Sequence, residues 1–541
     1  MPLVRSRTFV LFVVYRIAMV DVNVKYDSHV GARLLDFFGS TTPWHRSLWT
    51  LGLVLTLNEL IEAIGAVRTG ILYQNSVEDL SRLAMSLAGI DPGVGAAEQR
   101  KVLQAALRTE LRYQGMDYRV VQQLIANIEP KYLSRWAGSL RTHARAKPER
   151  TARAIAGHLL DAGFSADFLH GWWSYKLRYE PNIRPLADVV EDAHALALKP
   201  SREYEVLVAF SAFTKRHGSM PAGWLDAPDV SRWLRKRDID VSGIRQKGGI
   251  VMRISARDPV GAVDAARERL ERLAARVLVG SDREFILLPK AWIDGEPREF
   301  RLTRAGRDVD VHALERRKQV YEDSEYSRVD AAIELLAPLA SASPATAVAS
   351  GWAAFEALLS EPGNHAVVAD RMGAIAACSF PRAELTVLSY QAAKADPALA
   401  TRLQTCKTNR DRADLLAEEI ANQVPLSLSG GSDRAAYERL KELLAEPHSV
   451  LKDIEGYTSG AFRRLYRQRN LVLHGGITNG VALRASLRAA APLVGAGMDR
   501  IAHAWYVDRL SPLELAARAR ISLDTVGSPD SPKCVDLLGR L

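Results

Sequence analysis

The chain is poor in cysteine, in uninterrupted apolar runs and in the short motifs that mark cofactor and metal enzymes. Its 541 residues include three cysteines, Cys378, Cys406 and Cys534. An odd number, widely spaced and without a C-x-x-C pair, supports neither a disulfide framework nor a zinc site, and points to a reducing, cytoplasmic compartment. There is no G-x-x-x-x-G-K-[ST] loop, no G-x-G-x-x-G after a strand and no H-E-x-x-H. The twelve histidines are scattered, and His143, His158 and His170 lack ligand-like spacing. No metal and no cofactor is therefore expected.

A membrane span is not expected either. The apolar stretch from Leu48 to Val67 contains Asn58, Glu59 and Glu62, and ionisable groups at that depth are costly in lipid. A buried amphipathic helix is the better reading. Residues Thr8 to Val14 are apolar and follow Arg5 and Arg7, in the manner of a signal peptide. Arg16 and Asp21 interrupt that run, and no small-residue cleavage site follows. A β-strand is expected there, or extra residues from a start upstream of Met19, with Met1 and Met19 as the alternative starts.

What is present is ordinary globular composition, 48% hydrophobic and 25% charged, with a net charge of +9. At about 150 residues per domain, the length suits roughly three domains. The positive balance leans toward a polyanionic partner, because clustered cations gain affinity by releasing counterions from phosphates.

The periodicities give a mainly α chain with a central α+β module. Residues 1–200 read as helical: Leu80, Leu83, Ala84 and Leu87 recur at helical spacing, as do Val102, Ala105, Ala106 and Leu111, with a break at Asp91-Pro92-Gly93. Helices are also expected from Thr151 to Phe168, with Trp172 and Trp173 in the core. Residues 201–322 form a small α+β domain, with strands at Tyr204–Phe210, Gly249–Ser255, Arg283–Leu288 and Glu299–Thr303 and a helix from Pro259 to Val277. The cations from Arg232 to Lys247 read as a solvated loop. Residues 323–510 form a helical bundle. Trp352, Phe355, Leu358 and Leu359 mark one helix, and others fit Asp411–Gln423, Ser432–Leu444, Ser459–His474 and Leu483–Arg509, the last interrupted near Gly495 and Gly497. Residues 511–541 read as a loosely attached tail.

The most informative stretch runs from Phe462 to Gly476. Arg469 is followed by Asn470 and, five positions on, by His474, with Arg463, Arg464 and Arg467 just upstream. A permanent cation beside a ring that titrates near neutral pH suffices for cleaving RNA without a metal. Ser459 is a good N-cap and Gly475-Gly476 a good stop. At about 100° per residue, Arg469 shares the apolar face of Phe462, Leu465, Val472 and Leu473, while Arg463, Arg467, Asn470 and His474 fall opposite. On an ideal helix, Arg469 and His474 lie about 140° apart. For the two to act together, the helix must end before His474 or a second subunit must supply one of them.

The pattern Arg-Asn-x-x-x-His-Gly-Gly, with Tyr466 before it and the helix of Trp352 to Leu359, resembles the HEPN superfamily, in particular its Apea-like domains. The resemblance covers roughly residues 325–510. It implies a helical bundle that dimerises, bringing two Arg/His motifs into one cleft. It implies a metal-independent endoribonuclease with Arg469, Asn470 and His474 catalytic, acting by 2′-hydroxyl attack to leave 2′,3′-cyclic phosphate and 5′-hydroxyl ends. Arg463, Arg464 and Arg467 would hold the RNA backbone, and Glu356 could orient Arg469. The implied partners are RNA, a second copy of the chain, and a trigger ligand or neutralising antitoxin, as in a bacterial toxin or anti-phage defence effector. The alternative is a catalytically silent HEPN protein that binds RNA or a partner, or serves as a scaffold.

Overall fold

A computed structural model describes residues 24–142, 145–178, 184–212, 221–240, 243–280, 284–302, 306–321, 327–361 and 367–539. The apolar run from Thr8 to Val14, and both alternative start positions, lie outside the described residues. The chain is mainly helical, with one small antiparallel sheet.

The first part is a stack of helices, from 24–38 and Leu53–Arg68 through to Leu186–Ala197. Leu34, Phe38, Leu57, Leu80, Val121, Trp136, Ile155 and Trp173 fill one core among them. The break read at Asp91-Pro92-Gly93 is a single 3-10 turn whose cap, Asp91, accepts the Gly93 N–H at 2.7 Å. No helix among the described residues is long and apolar enough to cross a membrane. Leu53–Arg68 is instead a buried helix with Glu59 in the interior.

The central sheet is ordered β2-β3-β1-β4-β5, with β1 at Arg202–Ala212, β2 at Trp224–Leu225, β3 at Gly248–Ala256, β4 at Ile286–Ile293 and β5 at Phe300–Arg301. β1 pairs antiparallel with β3, Val206 opposite Met252 and Val208 opposite Ile250. Alternation sends Val206, Val208 and Phe210 toward the Pro259–Gly280 helix, where Val263, Ala266 and Leu270 meet them. Leu207 and Ala209 face the other way, onto Val230 and Leu234 of the Ala227–Arg235 helix. Both faces are covered, which is why this strand reads as a continuous apolar run. Of the cations expected in a solvated loop, Arg232 and Arg235 lie in that second helix, and just past its end Arg237 stacks on Trp233 at 3.8 Å and pairs with Glu205 at 2.8 Å.

The last part is built around the 29-residue helix Val367–Ala395. Around it pack Pro344–Leu359, Asn409–Ala421, Gly431–Ala445, Pro447–Leu473 and Leu483–His503. Three expectations are corrected. Ser459 does not begin a helix, because Pro447–Leu473 starts three turns earlier. Ser459 sits instead at a close helix crossing, where a Cβ on Gly373 would lie 2.1 Å from its hydroxyl. Leu483–His503 runs unbroken through Gly495 and Gly497 because both glycines admit close neighbours, the chain at 308–310 and the Met372 side chain. The final residues are not a loose tail. The Pro512–Thr525 helix carries a capping box at Ser511 and Glu514, and Leu515, Leu523, Val535 and Leu538 are buried in the bundle core.

Buried charge joins the first part to the last. Glu384, fully buried on Val367–Ala395, accepts from Arg46 at 2.7 Å and Arg439 at 2.6 Å. Arg439 also reaches Glu149 at 2.9 Å, which Arg33 contacts at 2.7 Å. Burial alone would raise the pKa of Glu384, but Arg439, His45 and Arg46 hold it at about 2. Desolvation pushes His45 and His158 down to about 4.

These shifts fix how stability depends on pH. The unfolded chain protonates His45 and His158 near 6.5 and the folded chain only near 4, so stability falls as pH drops through that window. The Glu384 contribution is present above its ordinary 4.5 and is lost as pH falls toward 2. The melting temperature should thus decline between pH 7 and pH 5, before the Glu384 contribution is lost. His158→Phe, which keeps a ring against Tyr132, should flatten that decline in a pH series of thermal melts.

Candidate functional site

The Pro447–Leu473 helix carries the whole Arg/His stretch, and what packs on each of its faces decides what each arginine does. Arg464 and Arg467, one turn apart, face the Leu53–Arg68 helix and are buried. Arg464 Nε donates to Glu59 Oε2 at 2.6 Å, and Arg467 Nη2 donates to Glu59 Oε1 at 3.1 Å. Burial opposes ionisation of Glu59, yet the two guanidiniums bring its pKa below the usual carboxylate value. The expectation that Arg464 and Arg467 hold an RNA backbone is therefore corrected. The projection treated the helix as isolated, and a helix from the first part of the chain covers that side. Arg463 is exposed and pairs with Asp370 at 2.7 Å.

Arg469 lies at the rim of the bundle with its side chain 22% exposed. Its Nη1 donates to Asn470 Oδ1 at 2.9 Å and lies 3.3 Å from His474 Nε2. Its Nη2 is 3.7 Å from Glu356 Oε2 on the Pro344–Leu359 helix. Aromatic contacts hold those two helices together one turn away. Trp352 packs on Tyr466 at 4.8 Å between ring centres, and Phe355 meets Phe462 edge-on at 5.7 Å. Glu356 and Arg469 each follow one of these rings by about a turn, which places carboxylate opposite guanidinium.

The motif helix stops at His474. Leu473 is its last residue and His474 its C-cap. Gly476 takes a φ of 64°, in the left-handed region that favours glycine, and its N–H returns to Val472 O at 3.1 Å. Gly475 is required for a different reason, since a Cβ there would lie 2.9 Å from the Ile71 side chain. His474 itself keeps helical backbone angles and donates its N–H to Asn470 O at 2.9 Å, so it is the reach of the Arg469 side chain that lets Arg469 and His474 meet within one chain.

Chemically, the cluster offers an exposed imidazole whose Nε2 lone pair accepts from Arg469 when the ring is neutral, the proton then being on Nδ1. Arg469 is restrained by Asn470 and Glu356 while remaining reachable from solvent. Asn470 itself is buried, so it acts by holding Arg469. Among the described residues, no group of three His, Cys, Asp or Glu is placed to hold a metal ion. Sequence reasoning missed Glu59 as the partner of Arg464 and Arg467. A glutamate inside an apolar run, and two arginines at i and i+3, were the available signals. A cleft of about 1530 Å3 elsewhere in the fold is lined by none of these residues. Comparison with protein-family models, with curated proteins and with solved structures finds no match to this chain.

The two kinds of arginine should separate in unfolding experiments. Glu59→Gln removes the carboxylate that Arg464 and Arg467 share, leaves both guanidiniums buried without it, and should cost about 3–5 kcal/mol in urea unfolding. Arg469→Ala and His474→Ala, at the solvated rim, should stay within about 1 kcal/mol of the parent chain.

Proposed function

We propose that this chain is a metal-independent endoribonuclease of the HEPN type, with Arg469 and His474 as its reacting pair. The observation that carries the reading is the 3.3 Å approach of Arg469 to His474 at the exposed end of the Pro447–Leu473 helix. An RNA 2′-hydroxyl attacks the adjacent phosphorus, and its proton passes to His474 Nε2. Arg469, swinging from the imidazole to the phosphoryl oxygens, stabilises the charge that builds there. Asn470 and Glu356 position Arg469 in both states. Arg463 is the one upstream arginine that remains available to a phosphate, in exchange for Asp370. The P–O5′ bond breaks as the O2′–P bond forms, and the leaving oxygen takes a proton from water while His474 returns its own to solvent, so the products are a 2′,3′-cyclic phosphate and a 5′-hydroxyl, and DNA is inert because it lacks the nucleophile.

Homodimerisation through the bundle belongs to the same reading, as does a role as a toxin or defence effector held in check by a partner or trigger. The internal Arg469–His474 contact removes the original reason for requiring two subunits, since Arg469 finds its partners within its own chain. A silent RNA-binding or scaffold protein is the second reading. It is favoured by the loss of Arg464 and Arg467 to the interior.

Purified protein incubated with total RNA and EDTA should cut it and leave the stated termini, and should leave DNA intact. His474→Ala should slow cleavage by about 10²–10⁴-fold while the melting curve holds. Equal rates for His474→Ala and the parent chain would sink the mechanism. An equimolar mixture of Arg469→Ala and His474→Ala proteins should stay inactive if each chain carries a complete pair. Recovered activity would show a site shared between subunits.

A further inference from the structure

A cleft of about 1530 Å3 lies between the first helical part, the segment at 308–317 and the last bundle. Its wall comes from loop 40–45, from 308–317, from the Val367–Ala395 and Leu483–His503 helices, and from the chain end at 536–539.

Three arginines on that wall, Arg382, Arg410 and Arg500, are short of carboxylates. Asp536 alone serves two of them, at 3.5 Å from Arg382 and 2.6 Å from Arg410. Arg500 has no ion-pair partner within 4 Å among the described residues, and its Nε is buried without an acceptor. The carboxylate beside it in sequence, Asp499, is already engaged by Arg316 at 3.0 Å and by the Ala313 N–H at 2.6 Å. Burial first, and then the neighbouring Arg382, push the Arg500 pKa down to about 9. Holding guanidiniums near one another with an unmet N–H costs stability. A phosphate would relieve that cost, because its oxygens match the guanidinium fork.

A bare phosphate would not account for the rest of the wall. Asp308 lies there beside Asp310, exposed at the mouth, and desolvation followed by that like charge raises its pKa. Carboxylates repel an anion but accept hydrogen bonds from sugar hydroxyls and ring amino groups. Trp44 adds a partly exposed ring, backed by Trp49 at 6.2 Å between centres, on which a planar base can stack. We propose that this cleft binds a phosphorylated nucleoside, its phosphates at Arg382, Arg410 and Arg500 and its base and sugar at Trp44 and Asp308. Small-ligand sites span about 300–1,000 Å3, so the cleft has room for such a molecule.

The test uses the full chain and no RNA, so its outcome is independent of the nuclease reading. Thermal melts and calorimetry are run with each of the four ribonucleoside triphosphates, with pyrophosphate, and with adenosine. At least one triphosphate should raise the melting temperature, well beyond pyrophosphate or adenosine. Arg500→Met should weaken its binding at least about tenfold, one charge-assisted contact being of that order. The same variant without ligand should melt no lower than the parent chain, because an unpaired buried charge is gone. Arg382→Met should also weaken binding, and the exposed Arg82→Met should not. The proposal is overturned if no triphosphate shifts the melt, if pyrophosphate does as well as the best triphosphate, or if Arg500→Met and Arg382→Met bind as tightly as the parent chain.

Discussion

The carboxylate of Glu59, buried between Arg464 and Arg467, is the contact on which the candidate site depends. It fastens the helix that carries the motif to the first part of the chain. It also removes from solvent two of the four cations that precede Asn470. A buried ion pair is weak evidence for net stability, since apolar residues of similar volume often do as well. Its effect here is on register. Three hydrogen-bonding groups must meet in one orientation, so the Pro447–Leu473 helix cannot rotate or slide without stranding a charge. The Glu384–Arg439–Glu149 chain does the same for the other side of the bundle, using residues far apart in sequence. The end of the motif helix, with Arg469 and His474, is thereby held at a fixed place on the surface.

Much of the architecture could be read from the sequence where apolar residues recur at a clear spacing or form a short run bounded by turn residues. The Leu53–Arg68 helix and the strand at Tyr204–Phe210 followed from apolar spacing and from turn residues around them. The helix at the centre of the bundle did not. Val367–Ala395 is buried on nearly every side and contains Pro381, so it offers neither an amphipathic stripe nor an unbroken helical composition. The same reason explains Ser459. A serine in sequence suggests a cap, and only the packing of Gly373 against it reveals a crossing. The last thirty residues looked polar and rich in proline and glycine, but every third or fourth residue of Pro512–Thr525 contributes to the core.

The site was legible in its members and not in its geometry. Arg469, Asn470 and His474 were picked out by spacing, and Glu356 by its place on the facing helix. An ideal helix separates Arg469 from His474, and His474 still has helical backbone angles, so the two meet through the length of the Arg469 side chain, which backbone angles alone do not convey. What could not be read was which arginines are buried. That depends on a helix some four hundred residues earlier in the chain, and local periodicity carries no information about it.

The net charge of +9 changes meaning once the arginines are placed. Arg33, Arg46, Arg464 and Arg467 are buried and matched to carboxylates, so part of the surplus suggested by the motif never faces a partner. Under the proposed reading, the RNA then meets Arg469 and Arg463 rather than a broad basic face. Each phosphate neutralised adds about 0.9 to the salt slope on a duplex and about 0.7 on a single strand, so so small a set of contacts implies weak, shallowly salt-dependent binding. Selectivity would have to come from the shape or flexibility of the cleaved segment, with the 2′-hydroxyl in line for attack. An unpaired loop or end can adopt that geometry at lower cost than a stacked helix can. The burial of Arg464 and Arg467 therefore argues against an enzyme that grips long RNA, and for one that acts where the backbone is already free.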